Sequence, residues 1–168
     1  MGESIIAKNK VLLIGAAGYV GQSLSEALVA SGWDVTTVDR NREAIHPVDY
    51  RVEYQSLKST FLAMFDIIIW VAGHSSVAQC LADPLDSMRN NCFDLCGFVS
   101  KIKRSTRFIY ASSASIYDMA APSETPYVES APLSVKARNS YDASKLAFDT
   151  LVPLCIENFV ALRFGTVC

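Results

Sequence analysis

Val11-Leu12-Leu13-Ile14-Gly15-Ala16-Ala17-Gly18-Tyr19-Val20-Gly21 is the stretch that decides the fold. An apolar run that ends in glycine and passes into helical spacing reads as strand, tight turn and helix, the opening unit of a dinucleotide-binding fold. Gly15 permits the turn. Gly18 puts no side chain between the backbone and a diphosphate, and Gly21 lets the helix pack close to the strand. The helix N-terminus offers free N–H groups and the positive end of its dipole, so Ala17, Gly18, Tyr19 and Val20 are the expected phosphate contacts. The spacing is G-x-x-G-x-x-G rather than G-x-G-x-x-G. By itself it also suits a strand–helix turn that binds nothing, so the rest of the chain must decide.

Working outward, Asp34–Asp39 is a second strand, and Asp39 closes it 18 residues beyond Gly21. A carboxylate there can accept from both hydroxyls of an adenosine ribose and would repel a 2′-phosphate, which favours NAD over NADP. Arg40 follows and weakens that preference, because an arginine there can hold a 2′-phosphate. Asn41–Asp49 is polar, contains Pro47 and reads as a loop, with His46 solvated in it. Tyr50–Gln55 alternates weakly, as a short third strand, and Leu57–Phe65 is a short helical connection. Asp66–Gly73 is a continuous β-branched run, the pattern of a parallel strand covered on both faces. Val71, Ala72 and Gly73 at its end leave room for a ligand.

A helix is expected from Asp83-Pro84 through Asn91 to about Lys103, with Asp83 as cap and Pro84 in the first turn. Arg107–Ser112 is a fifth strand that runs into Ser113-Ala114-Ser115-Ile116-Tyr117. Residues 118–139, with Pro122, Pro126 and Pro132, form a long loop. A helix covers about Ser140–Asn158, ended early by Pro153. Phe159–Phe164 is the sixth strand. Strands alternating with helices predict an α/β fold, a doubly wound parallel sheet in the order 3-2-1-4-5-6 with helices on both faces. The first helix, from Tyr19 to about Ser31, should bury Val20, Leu24, Ala27 and Leu28.

The bulk numbers bound the function. The chain has 168 residues, 51% of them hydrophobic, and a net charge of −2, enough apolar matter for one domain with a sizeable core. That balance leaves no basic footprint for nucleic acid or an anionic membrane. No apolar run approaches the ~20 residues of a membrane span. Residues 1–9 read as a loose leader without a basic or apolar signal region, so a cytoplasmic protein is expected. The five cysteines, Cys80, Cys92, Cys96, Cys155 and Cys168, are scattered, as for reduced thiols that pack as small hydrophobes, and no metal site is expected.

Tyr141-Asp142-Ala143-Ser144-Lys145 carries the chemistry. Residues four apart on a helix share a face. An ammonium at Lys145 would stabilise phenolate at Tyr141 and draw its pKa down toward neutrality, where a phenol works as acid or base. Ser113, at the end of the fifth strand, can hydrogen-bond the reacting oxygen of a substrate. Serine, tyrosine and lysine around a nicotinamide suit hydride transfer at a carbinol or carbonyl carbon.

With these motifs together, the sequence resembles the extended short-chain dehydrogenase/reductases, specifically the NAD-dependent epimerase/dehydratase family acting on nucleotide sugars. The resemblance covers nearly all of residues 10–168. It implies catalytic roles for Ser113, Tyr141 and Lys145, and cofactor contacts from the glycine turn, from Asp39 and Arg40, from Val71–Gly73, from Asn91 and from Tyr141 and Lys145. It also implies a nucleotide-sugar substrate and a dimer face on the helix from about Pro84 to Lys103. There are departures. Gln55-Ser56 stands near where the family carries an adenine-binding aspartate, and Asp118 replaces a usual glycine. Ala114-Ser115 occupies the place of the acidic pair of sugar 4,6-dehydratases, so epimerisation or reduction is favoured over dehydration. Family members continue for about as many residues again into a small substrate domain. The expectation is therefore a cofactor-binding and catalytic half, as a fragment or a naturally short protein; the alternative is a non-catalytic NAD(P)-binding module.

Overall fold

In a computed structural model of the chain, Lys10–Ile14 forms β1. Val11, Leu12, Leu13 and Ile14 are each at most 1% exposed, as a strand covered on both faces requires. The structure describes residues 9–41, 43, 45–117, 128–130, 132, 133 and 136–165. The expected leader, Asp118, Cys168 and most of the 118–139 loop lie outside the described residues.

The remaining strands are β2 (Asp34–Asp39), β3 (Tyr50–Arg51), β4 (Ile67–Trp70), β5 (Arg107–Ser113) and β6 (Phe159–Phe164). They form one six-stranded sheet in the order β3-β2-β1-β4-β5-β6, the order expected. β1 pairs in parallel with β2, Val11 opposite Val35, and with β4, Val11 opposite Ile67. By its contacts the chain divides into two units. One runs to Ala72 and takes in Lys101–Ile109; the other comprises Gly73–Ser100 and the chain from Tyr110 onward.

In the first unit, α1 (Tyr19–Ala30) and α2 (Ser59–Leu62) accompany the early strands. Val11, Leu13, Ala16 and Ile69 make a buried cluster on which Leu24, Leu28 and Val35 pack. The expected apolar face of α1 is thus right for Leu24 and Leu28, but Ala27 is exposed and Val20 only half-buried. The fully buried residues of α1 are Gly21 and Ser25. The helix lies so near the strand that small residues occupy the line of closest approach. The third strand is shorter than the expected Tyr50–Gln55, because Tyr54–Ser56 turns into a 3-10 helix. That turn places the Tyr54 ring edge-on to Trp70, with centroids 4.6 Å apart.

In the second unit, α3 (Val77–Ala82) was not foreseen and precedes α4 (Pro84–Met88). Ser76 caps α3 and Asp83 caps α4, each accepting from an amide three residues on. A π-helical turn, Arg89–Phe93, interrupts the expected long helix before α5 (Asp94–Val99). α6 (Ser140–Leu151) ends in a 3-10 turn at Val152–Leu154, where Pro153 stops it as expected. Phe148 on α6 packs edge-on against Tyr110 at 4.5 Å and Phe159 at 6.1 Å. Cys80 and Cys92 are buried, Cys96 is half-buried and Cys155 exposed, all as free thiols. Among the described residues no helix is long and apolar enough to cross a membrane.

Two glycines test this packing in opposite directions. A Cβ on Gly21 would overlap the Gly15 carbonyl oxygen, whereas one on Gly97 of α5 meets nothing within 4 Å. Gly21→Val should cost about 3 kcal/mol or prevent folding. Gly97→Ala should stabilise by about 0.5–1 kcal/mol through helix propensity. Urea unfolding of the two variants measures both.

Candidate functional site

The glycine turn belongs to the first unit. Gly15 has φ +90°, a conformation glycine adopts without strain, and a Cβ there would lie 2.5 Å from the amide nitrogen of Ala72 and 2.9 Å from the carbonyl carbon of Val71. Val71 and Ala72 thus meet the turn through their backbone. Gly18 is the N-cap of α1 and offers no side chain to cap the helix, so its first-turn amides at Tyr19 and Val20 have no side-chain oxygen on them. This is the arrangement that receives an anion. Asp39 reaches back to the turn: Oδ2 accepts from the Ala17 amide at 2.9 Å and Oδ1 from the Asn41 amide at 2.8 Å. The expected phosphate contacts Ala17 and Gly18 thus have their amides engaged within the protein, Ala17 by Asp39 and Gly18 by the Gly15 carbonyl at 3.1 Å, which leaves those of Tyr19 and Val20, and each Asp39 oxygen keeps one further lone pair. Arg40 stands exposed beside it. An open depression next to the turn is lined by Ala17, Gln22, Glu43, Ile45, His46 and Pro47. The loop that walls it is held by Arg51, whose guanidinium donates to the carbonyls of Asn41 and His46 at 2.5 and 2.8 Å.

Ser113, Tyr141 and Lys145 come together in the second unit. Ser113 ends β5, is 8% exposed, and accepts from the Ser115 amide at 3.2 Å to cap the 3-10 turn Ala114–Ile116. Its hydroxyl also pairs with the Ser115 hydroxyl at 2.9 Å. Ser115, which in the sequence stands out only as a non-acidic residue, is thus brought onto Ser113. Asn139 caps α6 by accepting from the Asp142 amide at 2.9 Å, which fixes where Tyr141 and Lys145 point. Arg138 joins the two segments, bonding Asp142 at 3.1 Å and the Ser115 carbonyl at 2.9 Å. Lys145 is buried, and its Nζ donates to the Ala111 carbonyl at 3.0 Å.

Asn91 spends its amide on the protein. Oδ1 accepts from the His74 amide at 2.8 Å, and Nδ2 donates to the His74 carbonyl at 3.0 Å and the Ser144 hydroxyl at 3.2 Å. It ties the turn after β4 to the helix of the Tyr141/Lys145 pair. Gly73, at φ +133°, makes room for it, because a Cβ there would lie 2.7 Å from Asn91 Oδ1. His74 faces Asp86 at 3.6 Å, as a turn residue.

The electrostatics correct one expectation. The Tyr141 pKa is raised, not lowered: burial dominates, and the hydrogen bond from Ser113 only partly offsets it. Lys145 does not pull the phenol down in this state. Its Nζ stands 5.8 Å from the Tyr141 ring centroid and 4.6 Å from that of Tyr110, and burial lowers the lysine itself to about 8. Among the described residues no group of three His, Cys, Asp or Glu side chains is placed to hold a metal.

The model of the NAD dependent epimerase/dehydratase family matches residues 11–167. The chain is 27% identical to a UDP-glucose 4-epimerase of Streptococcus mutans, over 94% of this chain and 51% of that protein. It is 28% identical to UDP-glucose 4-epimerase 2 of Arabidopsis thaliana, over 84% and 45%. Among solved structures, the NAD dependent NDP-hexosamine 5,6-dehydratase TunA superposes with a TM-score of 0.78 at 26% identity, over 94% of this chain and 55% of that one. A Thermus thermophilus UDP-glucose 4-epimerase in complex with NAD has the same fold, with a TM-score of 0.75 at 24% identity over 92% and 54%. The chain spans about half the length of the curated relatives it matches.

The buried lysine sets a pH dependence. Its folded pKa of about 8 lies below the ordinary 10.5, so between those values the unfolded chain binds more protons and stability rises with pH. Relative to Lys145→Met, the unmodified chain should therefore gain stability as pH rises from about 8 to 10.5, which denaturant unfolding at a series of pH values measures.

Proposed function

Because this chain belongs to the NAD dependent epimerase/dehydratase family, we propose that it is the cofactor-binding and catalytic half of an NAD-dependent nucleotide-sugar epimerase or reductase. The observation that carries the reading is the convergence of Ser113, Tyr141 and Lys145 where β5 ends beside the first turns of α6.

NAD is the cofactor of the family, and it supplies a nicotinamide carbon that takes up or gives back hydride. The residues present fit its diphosphate: an uncapped helix start at Gly18, and at Gly15 and Gly21 backbone so close that no side chain intrudes. Asp39, with a spare lone pair on each oxygen, would take the adenosine ribose, and Arg40 beside it keeps a 2′-phosphate within reach as the less favoured choice.

In this reading Ser113 donates to the oxygen of the carbon being oxidised or reduced. Tyr141 removes the proton from that oxygen when a carbinol is oxidised and returns it when a carbonyl is reduced. Its raised pKa keeps the phenol protonated at neutral pH, ready for the reductive direction. In the oxidative direction it must lose its proton, and a charged Lys145 is the nearby group that favours phenolate. Ala114 and Ser115 bring no carboxyl beside Ser113, so the sugar is epimerised or reduced rather than dehydrated. A homodimer through the exposed Leu81, Leu85 and Phe93 of α3, α4 and the π turn, and a cytoplasmic location, complete the proposal.

Replacing Tyr141 with phenylalanine separates binding from chemistry. In the active enzyme Tyr141→Phe should lower kcat about 10²- to 10⁴-fold while NAD binding persists. Steady-state rates with a UDP-hexose, read beside an NAD titration, measure this; unchanged turnover would remove Tyr141 from proton transfer.

A further inference from the structure

Lys145 is 6% exposed, and the hydrogen bond its Nζ donates goes to a neutral acceptor, the Ala111 carbonyl, at 3.0 Å. Its nearest ring, Tyr110, is neutral as well, because burial pushes that phenol far up. An ammonium buried among neutral partners tends to shed its proton. Four residues along α6, on the same face, stands Asp149 with a side chain only 2% exposed. One of its oxygens, Oδ2, pairs with Arg163 Nε of β6 at 3.2 Å. The other, Oδ1, is buried without a hydrogen-bond partner among the described residues. The ion pair therefore engages one side of the carboxylate only.

We infer that Asp149, anchored by Arg163, is a positioning residue that acts through Lys145: one helical turn away on the same face, its carboxylate favours the charged form of the ammonium that the Ala111 carbonyl orients. Its meaning for turnover rests on the proposed function; its electrostatics rest on this face of α6 alone. Burial lowers the Lys145 pKa, and the negative charge of Asp149 is the largest influence opposing that, with Cys80 next. Asp149 is itself buried, which favours its neutral form. The nearby Ser112 hydroxyl, the Arg163 guanidinium and the charge of Lys145 act in the other direction and offset part of that upward shift.

Arg163 is fixed on its far side. Its Nη1 donates to the Tyr117 hydroxyl at 2.9 Å and the Glu129 carbonyl at 3.4 Å, and its guanidinium carbon lies 5.0 Å from the Tyr117 ring centroid. Around Lys145, Tyr110 comes from β5, Tyr141 from α6, Cys80 from α3, and Cys92 of the π turn lies beyond Tyr110. Burial pushes Cys92 up to about 12, so it carries no charge near neutrality. Asp142 is paired with Arg138, and Asp86 of α4 faces His74. Among the described residues, Asp149 is thus the carboxylate that acts on Lys145.

The test follows the Lys145 titration in the full chain by NMR of carbon-13-labelled lysine, with neither cofactor nor substrate present. In the unmodified chain the midpoint should fall near 8. Asp149→Asn should lower it by about one pH unit or more, and Asp149→Glu should restore most of the loss. Asp149→Ser, a second neutral replacement, should lower it likewise. Asp142→Asn, which removes a carboxylate of the same helix that is paired with Arg138, should leave it in place. An unchanged midpoint in Asp149→Asn or in Asp149→Ser, or an equal fall in Asp142→Asn, overturns the inference. Should Asp149→Asn fail to fold, Asp149→Ser decides. The readout needs no turnover, so a failure here is distinct from a failure of the Tyr141→Phe prediction.

Discussion

The contact between Gly21 and the carbonyl of Gly15 is the constraint on which the first half of the fold depends. No side chain fits between them, and none fits between Gly15 and the backbone of Ala72. Close packing of this kind seats α1 against β1 and β4 and puts Leu24 and Leu28 onto the Val11/Leu13/Ile69 cluster. The same glycines leave the start of α1 without a side-chain cap. Close packing and an uncapped helix start therefore come from one sequence feature: backbone brought near backbone, with no side chain at Gly18 to occupy the first-turn amides of α1.

The second unit is organised around buried polar groups. Lys145, Asp149, Asn91 and Ser144 are all under 9% exposed. Desolvating such groups is costly, and an apolar core would hold the helix as well. Asn91 offsets the cost by satisfying both the amide and the carbonyl of His74 together with Ser144. Lys145 and Asp149 are less fully satisfied, and both have displaced pKa values. Polar burial with incomplete compensation is typical of functional sites rather than of stabilising cores.

Much of this was readable from the residues. Continuous apolar runs gave β1 and β4, and β2 and β6 begin and end where the pattern places them. The glycine turn, and the Ser113, Tyr141 and Lys145 group, were legible because their chemistry demands fixed spacings. Other features were not. α3 is six residues long, too short for periodicity to register. The π turn at Arg89–Phe93 leaves the pattern of an ordinary helix nearly intact, and its trace is the adjacent pair Asn90-Asn91, both buried. Ala27 has the character of a core residue, yet lies exposed because Gly21 and Ser25 hold the line of contact. The direction of the Tyr141 shift is not legible, because spacing shows that Lys145 shares its face, but not that both groups are buried and that the lysine turns to Ala111.

The central claim is that the glycine turn binds the diphosphate of a nicotinamide dinucleotide through the start of α1. Titrating the nitrogen-15-labelled chain with NAD and following its backbone amides tests this most directly. The account predicts saturable, single-site shifts that are largest at Tyr19 and Val20. Saturable shifts centred elsewhere, or no shifts at millimolar NAD, would contradict it.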